Sequence, residues 1–212
     1  MAEKDVNARD AKLIQWLEEA HAKESELITD LSLHIKATEK MAYKKRLRQH
    51  LSETRDHRKK VAARIKKLGG SAGSSGVPQP VSTVAGKAVS AVKGQVGAAR
   101  TALTSQPETH LRNAQEELRE EQVEIAIYIR IETLANEVGD DDTAKLAKAI
   151  RRDEERVAKF LSAELVRLVK DVVRAEIPRD QRATSRRSTA RRRGSRGSTS
   201  ARSTGSRARA AA

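Results

Sequence analysis

Acidic and imidazole side chains recur in this sequence at positions where helical spacing calls for apolar ones. The stripe Leu17, Ala20/His21, Glu24, Leu27/Ile28, Leu31 puts Glu24 on a core-facing turn. His50, Glu53 and His57 stand at i, i+3 and i+7, along one side of a helix. Leu118, Glu121, Glu124/Ile125 and Tyr128 set two carboxylates on or beside a third seam, and Ile150, Asp153/Glu154, Val157 and Leu161 interrupt a fourth. Each stripe is therefore expected to aim a carboxylate at one shared interior near mid-length. Buried ionised carboxylates repel one another and are costly to desolvate unless cations or hydrogen bonds compensate them. A pair of divalent or trivalent metal ions turns that cost into ligation, and oxygen and imidazole donors without sulfur suit iron, with manganese as the alternative. The expected ligands are Glu24, Glu53, His57, Glu121, Glu124 and Glu154, with His50 a further candidate. Tyr128, one turn beyond Glu124, is placed to hydrogen-bond a ligand.

Each of these residues also has a plainer reading. A single glutamate on a helix flank commonly pairs with Lys or Arg across the bundle, and His50 and His57 could be satisfied polar residues on a half-buried face. Glu18, Glu19, Glu116, Glu117, Glu120 and Glu155 read as solvated face, His21 and His34 as surface, and His110 as lying near a helix start. Only the coincidence of four interruptions favours metal.

The elements that would position these groups are helices. Leu13, Leu17, Ala20, Leu27, Leu31 and Ile35 recur at three- and four-residue spacing and predict a helix over 10–36, with Asn7 or Asp10 as cap. Tyr43, Leu47, Leu51, Thr54, Val61, Ile65 and Leu68 predict a second over 39–68, stopped by Gly69-Gly70. The third opens at Ser105-Gln106-Pro107-Glu108, with Ser as cap and Pro in the first turn, and closes at Gly139. The fourth follows Asp140–Asp142, carries Leu146, Ile150, Val157, Leu161, Leu165, Leu168 and Val172, and ends at Pro178. Between the second and third lies a Gly/Ser/Pro-containing stretch, then Val81–Thr104, rich in Ala, Val and Gly and able to form a short helix. A hairpin loop needs only about 2–8 residues. A connection this long can instead carry the chain the length of a bundle, about 40–45 Å. The expected fold is all-α: a four-helix bundle of ferritin-like layout with one long crossover between helices 2 and 3. Its expected divisions are a first hairpin over 1–68, a crossover over 69–104, a second hairpin over 105–178 and a tail over 179–212.

At these motifs the sequence resembles the YciE/YciF-type group of small bacterial ferritin-like proteins. Glu19-Ala20-His21-Ala22-Lys23-Glu24 is similar to that family's first-helix acidic motif, and His50-Leu51-Ser52-Glu53-Thr54 to its H-x-x-E-T signature. Glu124-Ile125-Ala126-Ile127-Tyr128 and Asp153-Glu154-Glu155 resemble its third- and fourth-helix motifs. The resemblance spans about residues 10–175 and implies a ferritin-like fold with a di-iron centre, in a family linked to stress responses. One departure stands out. Ferritin-like relatives carry E-x-x-H on both the second and fourth helices, whereas here Asp56 follows Glu53 at that offset and Val157 follows Glu154. The sequence therefore leaves open whether the protein is an enzyme.

Composition limits the remaining options. The 212 residues hold no cysteine, which excludes disulfides, thiolate sites and cysteine nucleophiles. Aromatics at 2% argue against an all-β core. No P-loop, nucleophile elbow or dinucleotide fingerprint is present, nor a run apolar enough to span a membrane, so a cytoplasmic protein is expected. The formal charge is +14, and residues 179–212 carry eleven Arg and one Asp, leaving only +4 for the rest. Without apolar periodicity this tail is expected to be disordered. Arg186, Arg187, Arg191, Arg192, Arg193 and Arg196 are its candidate nucleic-acid contacts, non-specific and salt-sensitive, which would associate the protein with the nucleoid. Dimerisation is expected of a long bundle. Two further functions fit the sequence: a metal-free helical protein that associates structurally with nucleic acid, and a module that docks a partner or membrane through Val81–Thr104.

Overall fold

The computed structural model describes residues 6–73 and 105–183. Four long helices dominate them: α1 Ala8–Ala37, α2 Met41–Leu68, α3 Gln106–Glu137 and α4 Asp141–Glu176. The Val81–Thr104 segment and the arginines from Arg186 to Arg196 lie outside the described residues. Among the described residues no helix is long and apolar enough to cross a membrane.

Helix ends follow local chemistry. The Asn7 side chain accepts from the Asp10 amide and caps α1. Ser105 caps α3 in the same way, accepting from Glu108 N, with Pro107 in the first turn. Gly69 closes α2 in the left-handed region at φ 97°, and Gly70 N donates to Ile65 O across the Schellman closure. A Cβ on Gly70 would sit 2.9 Å from the side chains of Ile14 and Ile65, so the second glycine is required by packing. Asp140 Oδ1 accepts from Thr143 N ahead of α4, and both Asp140 oxygens take Arg64 of α2 at 2.5 and 2.6 Å.

Cross-helix pairs give the topology. Along α1, residues 19, 24 and 34 meet residues 130, 128 and 117 of α3, so these two run antiparallel. Along α2, Lys40, His57 and Arg64 meet Glu164, Asp153 and Asp140, which makes α2 antiparallel to α4. Tyr43 and His50 of α2 meet Glu117 and Glu121 of α3 in rising order. Thus α2 and α3 are parallel, and Leu68 and Gln106 lie at opposite ends of the bundle. The connection between them is a crossover, as in ferritin-like folds.

The core is split in two. One apolar layer holds Leu13, Leu17, Val61, Ile65, Ile131 and Ile150, and the other holds Leu27, Leu31, Leu47, Val157, Leu161 and Leu168. Between them lies a polar stratum made by all four helices.

The chain forms two units, divided between Ala175 and Glu176. In the second, Arg179–Gln181 form one 3-10 turn, and Arg182 Nε donates to Ile177 O at 2.7 Å. The three residues at the head of the expected tail are therefore locally ordered.

Candidate metal centre

The polar stratum contains Glu24 from α1, His50 and His57 from α2, Glu121 and Glu124 from α3, and Glu154 from α4. None is more than 2% exposed. On α1 and α4 the reason is simple: Glu24 lies between Ala20 and Leu27, and Glu154 between Ile150 and Val157, in otherwise apolar stripes. On α3 the inward stripe is itself acidic through two turns, with Glu117, Glu120, Glu121 and Glu124 all buried. On α2 the buried face runs Leu47, His50, Thr54, His57, Val61.

Donor atoms converge in two groups, Glu24–His57–Glu154 and His50–Glu121–Glu154, each with its atoms within 4.8 Å of one another. Glu154 belongs to both. Its Oε1 lies 2.8 Å from His57 Nδ1, and its Oε2 lies 3.5 Å from His50 Nε2. His50 Nε2 is also 3.4 Å from Glu121 Oε1, and His57 Nδ1 is 3.8 Å from Glu24 Oε1. These are ion-pair contacts off the hydrogen-bonding axis. Eleven buried side-chain N and O atoms among the described residues lack a hydrogen-bond partner, and ten of them belong to these six residues. Buried polar atoms are normally satisfied, so the concentration at one point marks a place built for something other than protein partners. Four carboxylates and two imidazoles form a hard, sulfur-free donor set, which fits iron or manganese.

The neighbouring acids are different. Glu117 accepts from Tyr43 Oη at 2.5 Å and contacts His34 Nδ1 at 2.8 Å, while Glu120 is held by Lys23 and Arg119. Both are therefore satisfied within the protein. The expectation that Glu117 and Glu120 are solvated, and His34 a surface residue, is corrected: each is drawn into contacts between helices.

Two groups orient the candidate ligands. Tyr128 Oη donates to Glu24 Oε1 at 2.5 Å. The outer nitrogen of His57 lies 3.2 Å from Asp153 Oδ2, so that the ring presents Nδ1 inward, the usual carboxylate–histidine support of a metal ligand. The sequence pointed to Tyr128 but gave Asp153 no such part, since only its place beside Glu154 marks it.

Burial and crowding set the protonation. Burial, reinforced by the Glu154 charge, raises the Glu24 carboxyl to about 8. Burial and neighbouring carboxylates likewise hold Glu121 and Glu124 well above the usual range. Burial also works against a charged Glu154, but His50 and His57 outweigh it and keep that carboxyl at about 2. For His57 burial favours the neutral ring, yet Glu154, Glu24 and Asp153 raise it to about 9.

Glu53 does not join the cluster. It is half-buried on the bundle's flank, where it accepts from Arg46 at 3.0 Å and from Gln49 at 2.9 Å, while Thr54 takes the inward position. The expectation that every helix contributes a carboxylate is therefore corrected, because α2 contributes its two histidines instead. The donor total still matches the four-carboxylate, two-histidine count of ferritin-like centres, but both imidazoles stand on one helix.

A family model described as a domain of unknown function, DUF892, matches residues 8–174. No curated protein matches. Among solved structures, the chain is similar to a protein from Xanthomonas campestris pv. campestris, with 21% identity, TM-score 0.61, and 79% of this chain and 98% of that one covered. It is similar to the stress protein YciF of E. coli at 20% identity and TM-score 0.56, covering 77% and 98%. It also resembles the Desulfovibrio desulfuricans bacterioferritin, whose structure contains a diiron site, at 18% identity and TM-score 0.54, covering 82% and 86%.

Proposed function

The chain belongs to the DUF892 family of YciE/YciF-type ferritin-like proteins, and from that membership and the geometry above we propose that it binds a pair of metal ions, iron first and manganese second, within the bundle. The observation that carries this reading is Glu154, whose two oxygens face two different donor groups as a bridging carboxylate would. Glu24 and His57 complete one side, and His50 and Glu121 the other. Glu124, with both oxygens unpartnered, supplies the sixth side chain. Two such ions would supply electrons to dioxygen or peroxide. The protein's own part is to hold the ligands in place, through Tyr128 on Glu24 and Asp153 on His57, and to keep water out with an apolar layer on either side. The tail arginines Arg186, Arg187, Arg191, Arg192, Arg193 and Arg196 would hold the protein near nucleic acid through phosphate contacts.

Elemental analysis of untagged protein after reconstitution with Fe(II) or Mn(II) tests the centre. About two ions per chain are expected. Glu154→Ala removes a donor from both groups and is expected to abolish binding, whereas His50→Ala is expected to leave about one ion. Full metal content in Glu154→Ala, or none in the wild type, would sink the proposal.

A further inference from the structure

Charge is distributed very unequally over the four helices. α2 carries eleven Lys and Arg against two Asp and Glu, a net +9, while α1 has four against six, α3 three against eight, and α4 nine against eight. The body of the protein, nearly neutral as a sum, is therefore polarised. Much of the acid is internal: Glu24, Glu117, Glu120, Glu121, Glu124 and Glu154 are all buried. Of the eleven cations of α2, eight are exposed.

Helical geometry places that base in a row. At about 100° per residue, Lys45, Arg48, Arg55, Lys59 and Lys66 fall within a sector about 80° wide. That sector is centred about 150° from the buried face of Tyr43, Leu47, His50, Thr54, His57, Val61 and Ile65. All five cations are exposed, and none forms an ion pair among the described residues. The two acids of α2 do not offset them, since Glu53 is occupied by Arg46 and Asp56 by Lys60. The row is about 31 Å long at 1.5 Å per residue, and the helix that bears it is fixed to the bundle by its other face.

We propose that the outer face of α2 is a docking surface for duplex DNA, recognised through its phosphates alone. A straight cationic row about one duplex turn long, on a rigid rod, suits a regular polyanion. The row has no aromatic side chain on which unpaired bases could stack, so single strands gain nothing extra from it. A single exposed Met41 at the start of α2 is the only large apolar side chain on that face, too little to enter a lipid surface, because the apolar side of α2 already lies in the core. A second copy of the chain is a poorer counterpart: four of the eight acids of α3 are buried, and the exposed Glu19 and Glu26 of α1 are already paired with Arg130 and Lys23. This surface is additional to the tail and does not depend on the metal centre.

The test uses the full chain, tail intact, so that the tail's contribution is common to every variant. Affinity for a labelled duplex is measured by anisotropy over a range of salt. Replacing Lys45, Arg48, Arg55, Lys59 and Lys66 with Gln is expected to flatten log K against log salt by up to about 4–5, close to 0.9 per lost phosphate contact, and to weaken binding at least about tenfold at moderate salt. Gln keeps helix propensity at exposed sites. The pairs Lys45→Gln/Arg48→Gln and Lys59→Gln/Lys66→Gln are expected to give partial losses in proteins of unchanged circular dichroism. A matched variant neutralising Lys145, Lys148, Arg152, Lys159 and Lys170 on α4 lowers net charge equally and is expected to have little effect. Equal losses from the α2 and α4 variants would reduce the effect to net charge and overturn the surface. Preference for single strands, or for phosphatidylserine vesicles over duplex, would overturn the assignment of its partner.

Discussion

Protons occupy the centre of the metal-free protein in a way that links its stability to pH. Glu24, ordinarily near 4.5, is raised to about 8, and His57, ordinarily near 6.5, to about 9. Both groups hold protons in the folded state that the unfolded chain has already released. Stability from them is fully present below the lower value of each pair and is lost as pH rises through the higher one. Glu154 works the other way: held at about 2, it contributes above 4.5 and fails only in strong acid. The metal-free protein is therefore expected to melt at progressively lower temperature from pH 6 to pH 9, and the metal-loaded protein, whose ligands are deprotonated by coordination, to show a much smaller decline. Thermal melts of both forms across that range, followed by circular dichroism, check this; a flat metal-free profile would contradict the protonation described. The same residues show what sequence can and cannot specify. A glutamate inside an apolar stripe, such as Glu24 or Glu154, has only one inward direction, and it is legible. Around His50 and His57 the choice is open: Glu53 sits about 50° to one side of the line joining them, and Thr54 about 50° to the other. Spacing alone cannot choose between the two, and the rotation of α2 against its neighbours does. Glu117 and Glu120 were hidden for a related reason, because their partners Tyr43, His34 and Lys23 come from helices distant in sequence.

Helices were readable almost to their ends, because their signals are local: Asn7, Ser105 and Gly69 act within a turn of themselves. Connectivity was readable for a different reason, chain length. With α2 and α3 parallel, the connecting segment must cover about the length of α2, some 42 Å at 1.5 Å per residue. An extended chain covers at most about 3.6 Å per residue, so about twelve residues are the minimum. Replacing residues 74–104 with eight Gly/Ser residues, which leaves fourteen between Leu68 and Gln106 with little slack for turning at either end, is expected to lower the melting temperature sharply or force a domain swap between copies. A 20-residue Gly/Ser replacement is expected to keep the helicity, oligomeric state and metal content of the natural chain. Size-exclusion chromatography with melting curves separates the two outcomes. If the short version keeps the oligomeric state and stability of the natural chain, the parallel register of α2 and α3 is wrong.

At the scale of the bundle, six buried acids come together at mid-length, and the core is cut there by the groups that need a cation. Two apolar layers, one with Leu13, Leu17 and Ile65 and the other with Leu31, Leu47 and Leu161, must cooperate through a stratum in which ten polar atoms lack partners. Each buried unpartnered group costs on the order of 1–3 kcal/mol, so the metal-free bundle should be weakest at its waist, and ions that bind only the folded state should stabilise the whole. A ligand present at a thousand times its dissociation constant adds about 4 kcal/mol per site. For a body of this size, each kcal/mol moves the melting point about 2–4 °C. Removing both ions with a chelator is therefore expected to lower the melting temperature by about 15–30 °C, reversibly on adding Fe(II) or Mn(II). In the chelated protein, amide exchange is expected to rise first around Glu24, Thr54, Glu121 and Glu154, ahead of either apolar layer. Glu53→Gln, which changes a flank contact with Arg46 and Gln49, is expected to leave this response intact, whereas in Glu154→Ala chelation should have no further effect. Uniform exchange along all four helices, or an unchanged melting point after chelation, would mean that the two layers are joined by the protein's own contacts and that the stratum is not organised around metal.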